Sequence, residues 1–268
     1  MQHQFARAAA SYDNAAVLAR EVGHRMAARL ACVKLTPQRF ADIGCATGDG
    51  VRALQTRFPA ALPLAVDVAQ PMLAAVRAQA GWLERLRGRA PRCIHADVRA
   101  LPLASGSLDL VWSNLMLHWL PDLRPALTEL HRVLAEGGLL HFALLGPDTL
   151  KALRQLGAPV ADFPDMHDVG DWLVAAGFAD PVMEMEQLTL TYATPRQFLT
   201  DQRQLGVRDG LLGQLPWRQW RRLFTEWGRV DGLLPAGFEI VYGHAWKVSA
   251  AAAPVAADGR AIVRWHQK

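Results

Sequence analysis

The sequence predicts an α/β protein with a doubly wound, mostly parallel sheet of seven strands, and three observations lead to that prediction. Apolar runs of strand length alternate with segments of helical periodicity as far as Leu145. Three of these runs end in an aspartate, namely Asp42, Asp67 and Asp97. A glycine-rich turn over 44–50 joins the first run to a helical segment. Such alternation is typical of a sheet covered by helices on both faces, whose parallel strands end at one shared edge.

The elements follow in order along the chain. A helix over 11–31 begins at Ser11, which suits an N-cap, and carries an apolar stripe at helical spacing. Pro71 suits the first turn of a later helix, and Gly137 ends another. The alternating core is predicted as strand 40–44, helix 48–57, strand 62–67, helix 71–79, strand 92–96, strand 108–113, helix 122–134 and strand 138–145.

The alternation changes after residue 146. Further helices are predicted over 167–176, 195–206 and 216–229, and the last two strands over 182–192 and 237–248. Residues 1–248 therefore form one domain, with an N-terminal helical flap over 1–35 and a helical insertion over 194–235 before the last strand. The tail over 249–268 is rich in alanine and proline, which predicts a linker, and contains a short apolar run, Ala261–Trp265.

Composition limits the class of protein. Hydrophobic residues make up 51% and charged residues 20% of the chain, as in globular proteins. The net charge of +4 and the pI near 9.2 permit an acidic partner. Cys32, Cys45 and Cys93 are too few for a disulfide framework or a zinc site, which favours a reducing cytoplasm. No apolar stretch is long enough to cross a membrane, so we predict a cytoplasmic protein without a membrane partner.

The glycine-rich turn indicates a nucleotide-type ligand. Its spacing, Gly44-x-Ala46-x-Gly48-x-Gly50, does not fit the G-x-G-x-x-G fingerprint of dinucleotide-binding folds. It resembles D/E-x-G-x-G-x-G, motif I of class I S-adenosylmethionine methyltransferases, with Asp42 as the acid. Ala46 replaces the middle glycine. If φ is positive there, alanine costs about 1 kcal/mol; otherwise φ is negative or the loop is displaced. A tight turn without a ligand is the alternative.

The resemblance to class I methyltransferases implies a Rossmann-like sheet that ends in an antiparallel pair, here 182–192 with 237–248. Asp67 would accept hydrogen bonds from the ribose diol, and Asp97 would lie near the adenine amino group. The implied cofactor is S-adenosylmethionine, with S-adenosylhomocysteine as product. The residues predicted to bind it are Asp42, Gly44, Ala46, Gly48, Asp67, Val68, Met72, Asp97, Val98, Asn114 and Leu115.

Three residues are candidates for the acceptor side of the site. His118 follows the fourth strand and would lie beside the acceptor, or it is a buried polar residue of the core. Arg154 lies beyond the fifth strand, and its planar fork suits a carboxylate, although a solvated helix face explains it equally well. Tyr12 on the N-terminal flap could donate a hydrogen bond to a carboxylate, or it packs as an ordinary aromatic residue.

Aromatic and cationic residues alternate near residue 220. Trp217, Trp220, Phe224 and Trp227 recur at helical spacing, so we predict burial for them and do not predict a nucleic-acid site. Arg218, Arg221 and Arg222 then form an exposed face, which is either merely solvated or docks an acidic protein. The histidines form no H-x-x-x-H pattern, and no nucleophile elbow is present, so no metal is predicted.

Segments along nearly the whole chain resemble the malonyl-acyl-carrier-protein O-methyltransferases of biotin synthesis. That family transfers the methyl group of S-adenosylmethionine to the free carboxylate of a malonyl thioester, carried on acyl-carrier protein or coenzyme A. A malonyl carboxylate is ionised at neutral pH, so it needs positioning rather than a general base. The resembling segments are Phe5-Ala6-Arg7-Ala8-Ala9, Ser11-Tyr12-Asp13, Trp112-Ser113-Asn114-Leu115, His118-Trp119, 145–151, 165–170 and 235–246.

Two other functions stay open at this point. The fold also resembles an assembly factor of respiratory complex I that is associated with arginine hydroxylation in proteins, and a redox requirement without methyl transfer would identify that activity. A scaffold that binds S-adenosylmethionine without catalysis is the third possibility, and tight cofactor binding without turnover would identify it.

Overall fold

A computed structural model describes residues 2–86 and 88–248. The predicted linker and the short apolar run of the tail lie outside these residues. The seven strands are β1 (Arg39–Ile43), β2 (Leu62–Asp67), β3 (Arg92–His95), β4 (Leu108–Asn114), β5 (Leu134–Leu145), β6 (Ala179–Tyr192) and β7 (Leu234–Trp246).

Helices surround the sheet. The first six are α1 (Gln2–Ala8), α2 (Tyr12–Ala15), α3 (Val17–Leu30), α4 (Asp49–Arg57), α5 (Gln70–Gln79) and α6 (Trp82–Leu86). The others are α7 (Arg124–Val133), α8 (Lys151–Gln155), α9 (Met166–Ala175), α10 (Pro195–Gln204), α11 (Arg208–Leu211) and α12 (Trp217–Glu226), with one 3₁₀ turn at Leu117–Trp119.

The strands form one sheet in the order β3-β2-β1-β4-β5-β7-β6. The first five strands pair in parallel. β7 runs antiparallel to both β5 and β6, so the predicted closing pair is confirmed. From β1, the sheet extends through β2 and β3 to one side and through β4 and β5 to the other. Open α/β sheets bind their ligands at such a reversal of strand order.

Side chains of the inner strands point alternately to two cores. On β1, Phe40 belongs to the cluster on one face and Ala41 to the cluster on the other. Phe40 and Ala41 are both fully buried. Residues of the helices complete the cluster on each face of the sheet. The sheet is therefore doubly wound, as the near-continuous apolar runs predict.

The N-terminal region differs from the prediction of one helix over 11–31. It divides at Ala16 into α2 and α3, and α1 precedes them. The division has a packing reason, because α2 packs against α10 of the insertion whereas α3 packs against α4, β4 and β5. The short helix α6 was also not predicted.

The flap and the insertion meet above the carboxyl ends of the strands. Gln4 Nε2 donates to Asp209 Oδ2 at 2.8 Å, and Ser11 Oγ donates to the carbonyl of Gln204 at 3.2 Å. Gly206 lies so close to α1 that a Cβ there would be 2.9 Å from the carbonyl oxygen of Gln4. Neither segment alone covers this edge of the sheet, so their contact closes the site from above.

Trp217 is exposed over 64% of its surface, so the prediction that it is buried was wrong. Trp220, Phe224 and Trp227 are buried as predicted. Trp217 is the first residue of α12 and projects beyond the edge of the core, which begins one turn later. Helical periodicity cannot show where along a helix the contact with the core begins.

Candidate active site

A cavity lies at the carboxyl edge of β1, β2 and β4, beneath the flap and the insertion. Most of the predicted site residues line it, whereas Asp42, Gly48 and Arg154 do not. The predicted residues among its lining are Tyr12, Gly44, Ala46, Asp67, Val68, Met72, Asp97, Val98, Asn114, Leu115 and His118.

The glycine turn follows β1 with three residues in the left-handed region. Gly44 has φ +75° and Gly48 has φ +93°. A Cβ on Gly44 would overlap the side chain of Met116, so only glycine fits there. Ala46 has φ +44°, so this alanine is in the strained left-handed conformation and does not have a negative φ. The turn thus keeps its shape with alanine at a position that favours glycine.

Replacing Ala46 by glycine is expected to raise the free energy of unfolding by about 0.5–1 kcal/mol. Glycine removes the strain of the left-handed conformation, and this gain exceeds the cost of the greater backbone entropy that glycine gives the unfolded chain. Ala31 is the control, since its φ of −63° favours alanine. Ala31→Gly should lower the free energy of unfolding in the same urea titration. Equal losses in both variants would show that Ala46 is not strained.

Asp67 holds the turn against β2. Its Oδ2 accepts from the backbone N–H of Ala46 at 3.0 Å, and its Oδ1 accepts from the N–H of Ala69 at 2.7 Å. Burial raises the pKa of this carboxyl, and the two N–H donors oppose that rise. Asp67 therefore fixes two loops of the cavity wall while its carboxylate faces the cavity.

Asp42 lies behind the glycine turn rather than in the cavity. It accepts a backbone hydrogen bond from Val51 in the first turn of α4. Burial, reinforced by the nearby Asp67 carboxylate, raises the pKa of Asp42 to about 8. Gly50 makes room for it, since a Cβ there would lie 2.5 Å from Asp42 Oδ2 and 2.8 Å from Trp112 Nε1. The acid of the motif thus anchors the helix start, and Gly48 supplies the left-handed N-cap.

Hydrogen bonds join the flap to the glycine turn and to the end of β4. Asn114 Nδ2 donates to the carbonyl of Ala19 at 2.8 Å, and Thr47 Oγ1 donates to Asp13 Oδ1 at 2.5 Å. Oδ1 of Asn114 is buried and has no partner among the described residues. Asn114 lines the cavity at the end of β4, so a ligand with an N–H or O–H donor could satisfy this acceptor.

Tyr12 and Asp97 both line the cavity, and their surroundings shift their pKa values. Burial, with the Asp67 carboxylate next in importance, raises the pKa of Tyr12 above its ordinary value, so its hydroxyl stays protonated and can donate. The Arg99 guanidinium holds the pKa of Asp97 below its usual range, with their atoms 2.6 Å apart. Asp97 therefore offers an ionised acceptor.

His118 is a buried, neutral imidazole in the cavity wall. Its Nδ1 accepts the backbone N–H of Leu145 at 3.2 Å, so the ring proton must lie on Nε2. Nε2 is buried and has no partner among the described residues. Burial lowers the pKa of His118 to about 3, and the ring packs between Trp119 and Phe163. His118 can therefore donate a hydrogen bond but cannot take up a proton through Nε2.

Arg154 is not in the cavity, so the structure gives no support to its predicted contact with an acceptor carboxylate. Its guanidinium binds Asp162 Oδ1 at 2.6 Å and the carbonyl of Ala161 at 2.8 Å. These bonds fix the segment that carries Phe163, the ring against His118. The short helix α8 directs Arg154 toward this segment, which its position in the sequence does not reveal.

Comparison with known proteins decides the family. Residues 41–142 match the family described as "Methyltransferase domain". The chain is 47% identical to a malonyl-acyl-carrier-protein O-methyltransferase from Gallionella capsiferriformans, over 98% of this chain and 94% of that protein. A relative of the same name from Laribacter hongkongensis is also 47% identical, over 98% and 93%. The chain belongs to the malonyl-acyl-carrier-protein O-methyltransferase family.

Solved structures agree with the class I methyltransferase fold. The YcgJ protein of Bacillus subtilis superposes with a TM-score of 0.61 at 15% identity, covering 84% of this chain and 98% of that one. A putative methyltransferase from Bacillus halodurans gives a TM-score of 0.60 at 16% identity, covering 83% and 97%. At these identities the likeness shows the fold alone.

Sequence reasoning missed the part of the methyltransferase cavity that the end of β6 and the insertion supply. Tyr192 and Gln202 line it and are buried, and neither was a candidate. A glutamine within the helical pattern of 195–206 is indistinguishable from a solvated residue, so the sequence offered no signal for Gln202. Tyr192, at the end of a predicted strand, was recognisable only as a strand residue.

The described lining residues of the methyltransferase cavity include no lysine or arginine. Within residues 2–86 and 88–248, no group of histidine, cysteine and acidic side chains is arranged to hold a metal ion. No helix in the same part of the chain is long and apolar enough to cross a membrane. The polar side chains among the described lining residues are therefore acidic or uncharged.

Proposed function

We propose that this protein transfers a methyl group from S-adenosylmethionine to the free carboxylate of a malonyl thioester carried on acyl-carrier protein. The observation that carries the proposal is the 47% identity to relatives of that name over 98% of this chain. The cavity supports it because its wall combines a glycine turn and strand-end acids with two neutral donors, Tyr12 and His118.

The residues at the cofactor end fit S-adenosylmethionine. Gly44 lets the Met116 side chain pack against the glycine turn in the cavity wall, and the buried Oδ1 of Asn114 has no partner among the described residues, so a ligand donor could bind it. Asp67 would accept from the ribose hydroxyls and Asp97 from the adenine amino group, as charged acceptors do for such donors. When bound there, the cofactor supplies a methyl group on a sulfonium that gives it up to a nucleophile.

The acceptor end requires no base. A malonyl carboxylate is ionised near neutral pH and already carries the electron pair that forms the O–CH₃ bond. The residues here need only to bind it, orient it and exclude water. His118 with its Nε2–H and Tyr12 with its protonated hydroxyl can donate to it, whereas neither is a base. The products would be the methyl ester and S-adenosylhomocysteine.

Mass spectrometry of malonyl-acyl-carrier protein after incubation with S-adenosylmethionine tests the proposal. A gain of one CH₂ unit on the malonyl group supports carboxyl methylation. A gain of one oxygen on a protein substrate would support the arginine-hydroxylase alternative instead. Tight cofactor binding without any product would support a scaffold. Malonyl-coenzyme A in a parallel reaction shows whether the carrier protein is required.

The exposed arginines of α12 give a prediction about the carrier. Arg218, Arg221 and Arg222 are exposed as predicted, and Arg222 pairs with Glu226. Because acyl-carrier proteins are acidic, reversing Arg221 and Arg222 to glutamate should slow methylation of malonyl-acyl-carrier protein about 3–10-fold at low salt, through the association rate. Initial rates at two salt concentrations measure the effect.

Malonyl-coenzyme A is the substrate control for that prediction, and its rate should change little. The matched variant reverses Lys34 and Arg39, two exposed cations near the start of β1 at the opposite edge of the sheet. Equal losses with both substrates would mean that the α12 arginines support folding. Equal effects of the two double variants would mean that only net charge matters.

A further inference from the structure

We infer that Gln202 and His118 together form a clamp of two neutral hydrogen-bond donors for the free carboxylate of the acceptor. This inference rests on the proposed function and identifies how its site recognises the substrate. Gln202 is a residue of the insertion, and His118 follows β4, so the clamp would join the lid of the cavity to its floor.

Gln202 is buried in an unusual way for its residue type. It is 3% exposed, lies in the last turn of α10 and lines the cavity. Its side-chain amide makes no hydrogen bond within the described part of the chain, although its carbonyl accepts from the N–H of Val207 at 3.0 Å. The amide atoms of Gln202 are not among the fully buried polar atoms without a partner, so they are accessible from the cavity. A ligand that accepts hydrogen bonds can therefore reach the Gln202 amide.

A continuous layer of contacts links Gln202 to His118. Gly206, one turn beyond Gln202, packs closely on α1. Phe5 of α1 meets Trp119 edge-on, with ring centroids 6.4 Å apart, and Trp119 lies 4.5 Å from the His118 ring. Both donors thus belong to the wall formed by the flap, the insertion and the 3₁₀ turn.

Neutral donors suit a carboxylate that must act as a nucleophile. An arginine fork would bind both oxygens strongly before the reaction and would lose that interaction as the charge disappears in the ester. The described cavity lining has no such cation, and a bound sulfonium would supply the opposing charge. Donors on Gln202 and His118 orient the carboxylate, and they bind the neutral ester product less strongly.

The test replaces Gln202 by methionine, which keeps the unbranched shape and removes the donor, and uses Gln204→Met on the same helix as the matched control. With malonyl-acyl-carrier protein and with malonyl-coenzyme A, Gln202→Met should lower kcat/KM about 10–100-fold, the loss expected for one hydrogen bond to a charged group. The affinity for S-adenosylmethionine and the melting temperature should match those of the control.

A second variant separates a binding role from a structural one. Gln202→Glu places a like charge beside the carboxylate, so its kcat/KM should be lower still at pH 8 and should recover as the pH falls and the new glutamate is protonated. The wild-type protein should show no such recovery. A double-mutant cycle with His118→Phe should be non-additive, because both donors bind one carboxylate.

Three results would contradict the clamp. The first is a kcat/KM of Gln202→Met equal to that of Gln204→Met. The second is a loss of cofactor affinity in Gln202→Met as large as its loss of kcat/KM. The third is strict additivity of the effects of Gln202→Met and His118→Phe. Each of them leaves the proposed function intact as long as the wild-type protein forms the methyl ester. Absence of the ester with wild-type protein would instead contradict the proposed function, and the clamp with it.

Discussion

Replacing Asp67 by alanine is expected to weaken the binding of S-adenosylmethionine by about 1–3 kcal/mol, the range for hydrogen bonds to a charged group. Two losses contribute. The carboxylate proposed to accept from the ribose hydroxyls disappears, and the N–H groups of Ala46 and Ala69 lose the acceptor that fixes their loops. The glycine turn then keeps only the backbone bonds of Gly44 and Cys45 to the carbonyl of Val66, and Ala46 is no longer fixed.

Isothermal titration calorimetry of the folded variant measures this loss. Asp109→Ala is the control, because Asp109 also accepts two backbone N–H bonds, from Gln38 and Arg39, but does so at the amino end of β1. Its removal should leave cofactor affinity unchanged. If Asp67→Ala binds the cofactor as tightly as the wild-type protein does, Asp67 is not part of the cofactor site.

The sheet was predictable because its signals are local and repeated. Each inner strand is a short apolar run bounded by turn residues, and both faces are buried, so the runs are continuous rather than alternating. Asp42, Asp67 and Asp97 come at the ends of β1 and β2 and just after β3, as the sequence indicates. Parallel pairing alone then places these ends at one edge.

What the sequence did not predict depends on contacts between distant segments. The division of the first helix at Ala16 follows from packing of α2 on the insertion. Arg154 turns away from the cavity because Asp162 and Ala161 lie beside it. Gln202 faces the cavity because α10 crosses above the flap. None of these relations has a periodicity or a motif that one segment could show.

Burial acts on the titratable groups of the site in one direction, toward the uncharged form. It lowers the pKa of His118 to about 3 and raises the pKa of Tyr12. Both residues are therefore neutral donors throughout the neutral range. A site arranged in this way suits an acceptor that brings its own charge, as a carboxylate does, and it would not deprotonate an amine or a phenol.

The same burial predicts a large effect at Asp42. Its pKa is raised from 3.8 to about 8, so the folded state holds a proton that the unfolded state releases. Stability is therefore lost as the pH rises from about 4 to about 8. Replacing Asp42 by asparagine should raise the free energy of unfolding at pH 8 by about 2–5 kcal/mol, with each pKa unit worth about 1.4 kcal/mol. The amide oxygen can still accept from Val51.

Urea titrations of the protein without cofactor, at pH 4.5 and pH 8, measure that effect. The gain from Asp42→Asn should be nearly absent at pH 4.5, where the carboxyl of the folded wild-type protein is protonated. Asp122→Asn is the control with the opposite sign, because the Arg124 guanidinium holds the pKa of the exposed Asp122 below its ordinary value. A stability gain from Asp42→Asn that is equal at the two pH values would show that packing or hydrogen bonding, rather than the cost of a buried charge, governs this residue.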